Sequence, residues 1–127
     1  PNYPVFAADG TLYVSDSGTW GADSGCVIAI DPQQHARTLS SATPSYTNGM
    51  ALHPDGGYLY VVESSLPGIS RLPLLADGTA APRELVVEMP RCVPDGLAFT
   101  ADGTLLIARY RPDAIFRWDG RALELLV

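Results

Sequence analysis

Asn48-Gly49-Met50-Ala51-Leu52-His53-Pro54-Asp55-Gly56-Gly57-Tyr58-Leu59-Tyr60-Val61-Val62-Glu63 holds two short apolar runs hinged on an Asp-Gly pair. Runs this short and rich in Leu, Val and Tyr favour strands, and glycine accepts the positive φ that a hairpin turn needs. The pattern occurs twice more, from Asn2 through Asp9-Gly10 to Asp16 and from Asp95 through Asp102-Gly103 to Arg109. Asn2 and Asn48 stand 46 residues apart and Asn48 and Asp95 stand 47 apart, and Asp9, Asp55 and Asp102 keep the same intervals. A period of that length, made of strands, marks the stacked four-stranded blades of a β-propeller.

Each repeat supplies four strand candidates. The inner ones are Val5 to Ala7, Met50 to His53 and Leu97 to Thr100, followed by Leu12 to Ser15, Tyr58 to Val62 and Leu105 to Ala108. Third runs lie at Cys26 to Ile30, Gly68 to Leu72 and Ala114 to Trp118, and weaker fourth runs at Arg37 to Leu39, Glu84 to Glu88 and Leu123 to Val127. The expected fold is all-β, a partial propeller with blade repeats at about 1–46, 47–93 and 94–127, the last incomplete. Propellers close with four to eight blades, so three would leave two apolar blade faces unburied. The chain therefore reads as an interior piece of a longer protein, or as a half that could self-associate with a second copy into a ring.

Composition narrows the class. Of 127 residues 46% are hydrophobic and 17% charged, enough apolar material for a core. A net charge of −6 argues against a nucleic-acid partner, which needs a basic footprint. No run approaches the roughly 20 apolar residues of a helical membrane span, and there is no basic-then-apolar leader. The expectation is a cytoplasmic protein without a membrane or nucleic-acid partner, with a secretion signal upstream of Pro1 left open. Cys26 and Cys92 sit in non-equivalent parts of their repeats and read as free thiols.

Equivalent positions in a propeller converge on its axis, so Asn2, Asn48 and Asp95 should meet there. They supply two amide oxygens and one carboxylate, a donor set for a hard cation. Turn roles already belong to Asp9, Asp55 and Asp102, which separates the axial residues from ordinary turn residues. Without Cys or His the set is a poor match to structural zinc. Asp16, Glu63 and Arg109 end the second strands at equivalent positions and read equally as residues behind or around the site and as solvated strand ends; Trp20 and Tyr110 read first as aromatics packed between blades and second as lining the mouth of the pocket. His35 and His53 have no evident partner in the sequence. No Gly-x-Ser-x-Gly elbow or phosphate loop is present.

Thr47-Asn48-Gly49-Met50-Ala51-Leu52 with Pro54-Asp55-Gly56, and Pro94-Asp95-Gly96-Leu97-Ala98-Phe99 with Ala101-Asp102-Gly103, resemble the gluconolactonase and senescence-marker-protein (regucalcin-like) family of six-bladed propellers. The resemblance runs over the whole chain and matches roughly the third to fifth blades. Arg109-Tyr110-Arg111-Pro112-Asp113 fits a bacterial branch. It implies a metal-dependent hydrolase opening a sugar lactone or similar cyclic ester at one axial divalent metal, Ca²⁺ first, with Mg²⁺, Mn²⁺ or Zn²⁺ as the other candidates. Asn48 and Asp95 fall on family metal ligands, and Asn2 falls on a residue that contacts metal or substrate. Asp95 falls on the catalytic carboxylate, a base in lactonases and a nucleophile in the related diisopropyl fluorophosphatase. The family's fourth ligand is a glutamate of the first blade, outside these residues, so the chain alone is expected to be inactive unless it dimerises. Two rival readings keep the fold: a non-catalytic calcium-binding or scaffold propeller, and a metal-free propeller like strictosidine synthase.

Overall fold

The computed structural model describes all 127 residues as twelve strands and no helix. Strands β1 (Pro4–Phe6), β2 (Leu12–Asp16), β3 (Cys26–Ile30) and β4 (Ala36–Ser40) form the first sheet. The second contains β5 (Thr47–Leu52), β6 (Tyr58–Glu63), β7 (Gly68–Pro73) and β8 (Glu84–Glu88). β9 (Val93–Phe99), β10 (Leu105–Tyr110), β11 (Ala114–Trp118) and β12 (Leu123–Leu125) make the third. Every neighbouring pair is antiparallel and spatial order follows chain order, the topology of a propeller blade.

The second sheet is covered on both faces because alternate side chains of a strand point opposite ways. Leu59, Val61 and Leu72 pack with Tyr13, Val27 and Ala29 of the first sheet. Tyr60, Val62 and Ile69 pack with Leu97, Leu105 and Ile107 of the third. Each fully enclosed Leu, Ile or Val contributes roughly 1.5–3 kcal/mol, so the sheets stabilise one another. The outer sheets have one open face each, carrying Phe6 on the first and Ile115 on the third.

At one end of each blade the inner hairpin turns on Asp-Gly, with φ of +89° at Gly10, +76° at Gly56 and +86° at Gly103. The aspartate carboxylates accept backbone N–H bonds from Thr11 (2.9 Å), Gly57 (2.8 Å) and Thr104 (3.2 Å). Ala7 pairs with Thr11 and Thr100 with Thr104, whereas His53 pairs with Tyr58. The second turn is thus one residue longer, and Gly57 is the addition.

Those turn bonds favour the carboxylate form. Asp9 and Asp55 are held below the usual Asp range chiefly by the N–H groups of Thr11 and Gly57, and Asp102 chiefly by the Thr100 hydroxyl. Near pH 4 the folded chain therefore binds fewer protons than the unfolded one. The contribution to stability is complete above the ordinary Asp value of about 3.9 and is lost as pH falls through the lowered folded values. The urea midpoint should drop below about pH 4, and Asp55→Asn should flatten that acid limb.

Glu63 is fully buried. Its Oε2 accepts from Arg83 Nη1 (2.6 Å) and from the Ser70 hydroxyl, and Arg83 Nη1 also meets Ser70 Oγ (3.1 Å). Glu63 is therefore a buried, paired carboxylate within the second blade rather than a solvated strand end. Removing Arg83 would strand a buried carboxylate, so Arg83→Ala should cost about 2 kcal/mol, less than a wholly enclosed pair because Arg83 is partly exposed. Urea unfolding at neutral pH checks this.

Candidate functional site

At the other end of the blades, β5 and β9 begin earlier than the apolar pattern suggests and include Asn48 and Asp95. Both strands are irregular there: pairing shifts between Thr47 and Met50, and again on β10 between Ile107 and Arg109. Asn48-Gly49 lie opposite Val62 alone and Asp95-Gly96 opposite Ala108 alone, two residues against one. Such bulges re-aim side chains. Asn2 and Tyr3 stand in the same relation to Ser15, which accepts from Asn2 N (2.7 Å) and donates its own N–H to Tyr3 O (2.9 Å).

The three residues of the repeat pattern meet. Asn2, Asn48 and Asp95 line one cavity of about 400 Å³, together with Trp20, Tyr46, Val93 and Tyr110. The Asn48 side-chain amide donates to Asp95 Oδ1 (2.7 Å) and to Ser64 Oγ (3.2 Å). The Asn2 amide donates to Ser17 Oγ (2.9 Å). That leaves Asn2 Oδ1, Asn48 Oδ1 and Asp95 Oδ2 without a protein hydrogen-bond partner. No Arg pairs with Asp95, and the chain has no lysine.

The cavity wall corrects one expectation. Trp20 and Tyr110 are 55% and 51% exposed and border the site instead of packing between blades. Tyr46 was missed. It meets Trp20 edge to face at 4.9 Å, and its backbone takes φ +60°, unusual for a bulky residue. Its carbonyl is tied to Ser64 N (3.2 Å), which holds the ring over the cavity. The remaining candidates lie elsewhere. His53 and His35 pair with their own turn aspartates, Asp55 (2.9 Å) and Asp31 (3.1 Å). Asp16 accepts Gly18 N, and Arg109 donates to the Pro112 carbonyl. Cys26 and Cys92 are free, half-buried thiols.

Ser17 and Ser64 were also missed as site residues. Both are buried, and both hydroxyls donate a hydrogen bond to the next blade: Ser17 to Thr47 O (2.9 Å) and Ser64 to Pro94 O (2.7 Å). Extending the repeat comparison one residue past Asp16 and Glu63 would have found them.

A family model described as the SMP-30/gluconolactonase/LRE-like region matches residues 1–125. The chain belongs to this family. Among relatives, the 6-deoxy-6-sulfogluconolactonase of Pseudomonas putida is 27% identical over 107 residues, 80% of this chain and 36% of that protein. A gluconolactonase structure from Xanthomonas campestris matches with a TM-score of 0.78 at 20% identity, covering 97% of this chain and 44% of that one. The calcium-binding protein regucalcin from Agrobacterium tumefaciens matches with a TM-score of 0.71 at 22% identity, covering 91% and 40%. At these identities the structural matches establish the propeller fold. The chain spans less than half the length of these members of the SMP-30/gluconolactonase group.

The donor set suits a hard divalent ion. No three His, Cys, Asp or Glu side chains come together anywhere in the chain, so an ion here would draw on amide oxygens, as Ca²⁺ sites readily do. Two amide oxygens and one carboxylate oxygen without protein partners, bordering one cavity, fit that requirement.

Proposed function

We propose that this chain contributes to a lactone hydrolase working at a divalent cation, Ca²⁺ first, with Asn2, Asn48 and Asp95 as its oxygen donors. Family membership supports lactone hydrolysis in general. The observation that carries the finer reading is the convergence of three unpartnered oxygens in one cavity.

A cation bound there would polarise the ester carbonyl and acidify a neighbouring water. The chain's own residues supply the rest. Asp95 Oδ1 is anchored by the Asn48 amide, and Oδ2 has two lone pairs, one to face the cation and one to take a proton from the water that adds to the ester carbon. Returning that proton to the ring oxygen as the C–O bond breaks yields the hydroxy acid and restores the carboxylate. Trp20, Tyr46 and Tyr110 offer flat faces to the C–H side of a small ring.

The test is calorimetric titration of the full-length protein with Ca²⁺, paired with hydrolysis of simple aldonolactones before and after a chelator. One bound ion and chelator-sensitive turnover would support the proposal. Turnover indifferent to chelator would remove the cation, and binding without turnover on any lactone would favour a calcium-binding propeller without this activity.

A further inference from the structure

We infer that Ser17 and Ser64 are positioning residues that fix which atom of each axial asparagine faces the cavity, an inference that rests on the cation reading above. A serine hydroxyl has one proton, and in both blades it is committed to a backbone carbonyl of the following blade, Thr47 O or Pro94 O. The oxygen then has only lone pairs to offer, so the group against it must be the NH₂ end of the asparagine amide. Both asparagines obey, at 2.9 Å for Asn2 and 3.2 Å for Asn48. A flipped amide would set carbonyl oxygen against hydroxyl oxygen with no proton between them. Each serine thereby turns the amide oxygen away from itself and leaves it free for a cation; at Asn48 the Asp95 carboxylate demands the same orientation (2.7 Å), so Ser17 is the serine that acts alone.

The third repeat is the control. Counting from the residue opposite each bulge, Ser15, Val62 or Ala108, the second residue onward is Ser17, Ser64 and then Tyr110. The serine is present in both repeats whose axial residue is Asn and absent where it is Asp95. A carboxylate has two like oxygens and needs no such device. Because each hydroxyl also ties one blade to the backbone just before the next axial residue, the same group sets the spacing between successive donors.

The experiment is a Ca²⁺ titration by calorimetry of Ser17→Ala, Ser64→Ala and the matching Ser→Thr variants in the full-length protein, with melting temperatures recorded without the ion. Ser17→Ala should weaken Ca²⁺ binding by about tenfold or more, as loss of groups that orient metal ligands does, and Ser64→Ala should weaken it less because Asp95 still holds the Asn48 amide. Thr at position 17, which keeps the hydroxyl, should recover most of the affinity. A lower melting temperature with unchanged Ca²⁺ affinity would make the serines merely structural and overturn the inference while leaving the cation reading intact. Wild-type protein that binds no Ca²⁺ would overturn both. Ser17 lies nearer the surface than Ser64, so its variant keeps the question answerable if Ser64→Ala does not fold.

Discussion

Asp95→Ala is expected to lower lactone turnover by about 10³-fold or more and to weaken Ca²⁺ binding sharply, since one carboxylate serves as general base and as this chain's only charged donor. Asp95→Asn separates the roles. It keeps an oxygen for the ion but cannot take a proton, so kcat should fall nearly as far while Ca²⁺ affinity falls less. Asp102→Ala is the control from the opposite end of the same blade. Its carboxylate serves the turn through Thr100 and Thr104, so the loss should appear in the melting temperature and leave Ca²⁺ affinity in place. Identical behaviour of Asp95→Ala and Asp102→Ala would overturn the axial assignment.

Gly49→Ala should produce a large loss of stability, about 3 kcal/mol. A Cβ on Gly49 would strike the Asp95 carbonyl oxygen and come within 2.7 Å of Gly96 Cα. These are backbone atoms, which cannot swing aside as a flexible side chain can, and so the second and third sheets would be pushed apart at the site. Asn48 and Asp95 are bonded across that junction, so Ca²⁺ binding should fail with it. The demand is local. Tyr3 occupies the equivalent position in the first repeat, and a Cβ on Gly96 would meet only Ala108 Cβ at 3.7 Å. A Gly49→Ala protein with a wild-type urea midpoint would show that the blades are not locked together there.

Much of this was legible in the chain because the repeat carries its own alignment. The Asp-Gly turns fix where hairpins begin, and the apolar runs between them fix the strands, so β3, β8 and β11 fall where the pattern puts them. Asn2, Asn48 and Asp95 were visible as a set since their spacing matches that of the turns. The bulges were marked only by Gly49 and Gly96, with Tyr3 in the same place in the first repeat, and their register depends on pairing that local composition does not carry. Ser17 and Ser64 lie one residue past the matched segments, and Tyr46 has no aromatic counterpart at the equivalent Val93, so the repeat did not single it out. Glu63 and Arg83 are 20 residues apart, too far for local pattern to pair them.

The added Gly57 in the second turn shows how forgiving this arrangement is. The stretch from Asn48 to Ser64 is one residue longer than that from Asn2 to Ser17, yet both hydrogen bonds form. The surplus is spent at the hairpin tip before the ladder begins, and pairing restores the phase. Insertions and deletions can therefore accumulate at that end over evolutionary time without retuning the chemistry at the other, whereas one residue gained between bulge and serine would have no such outlet.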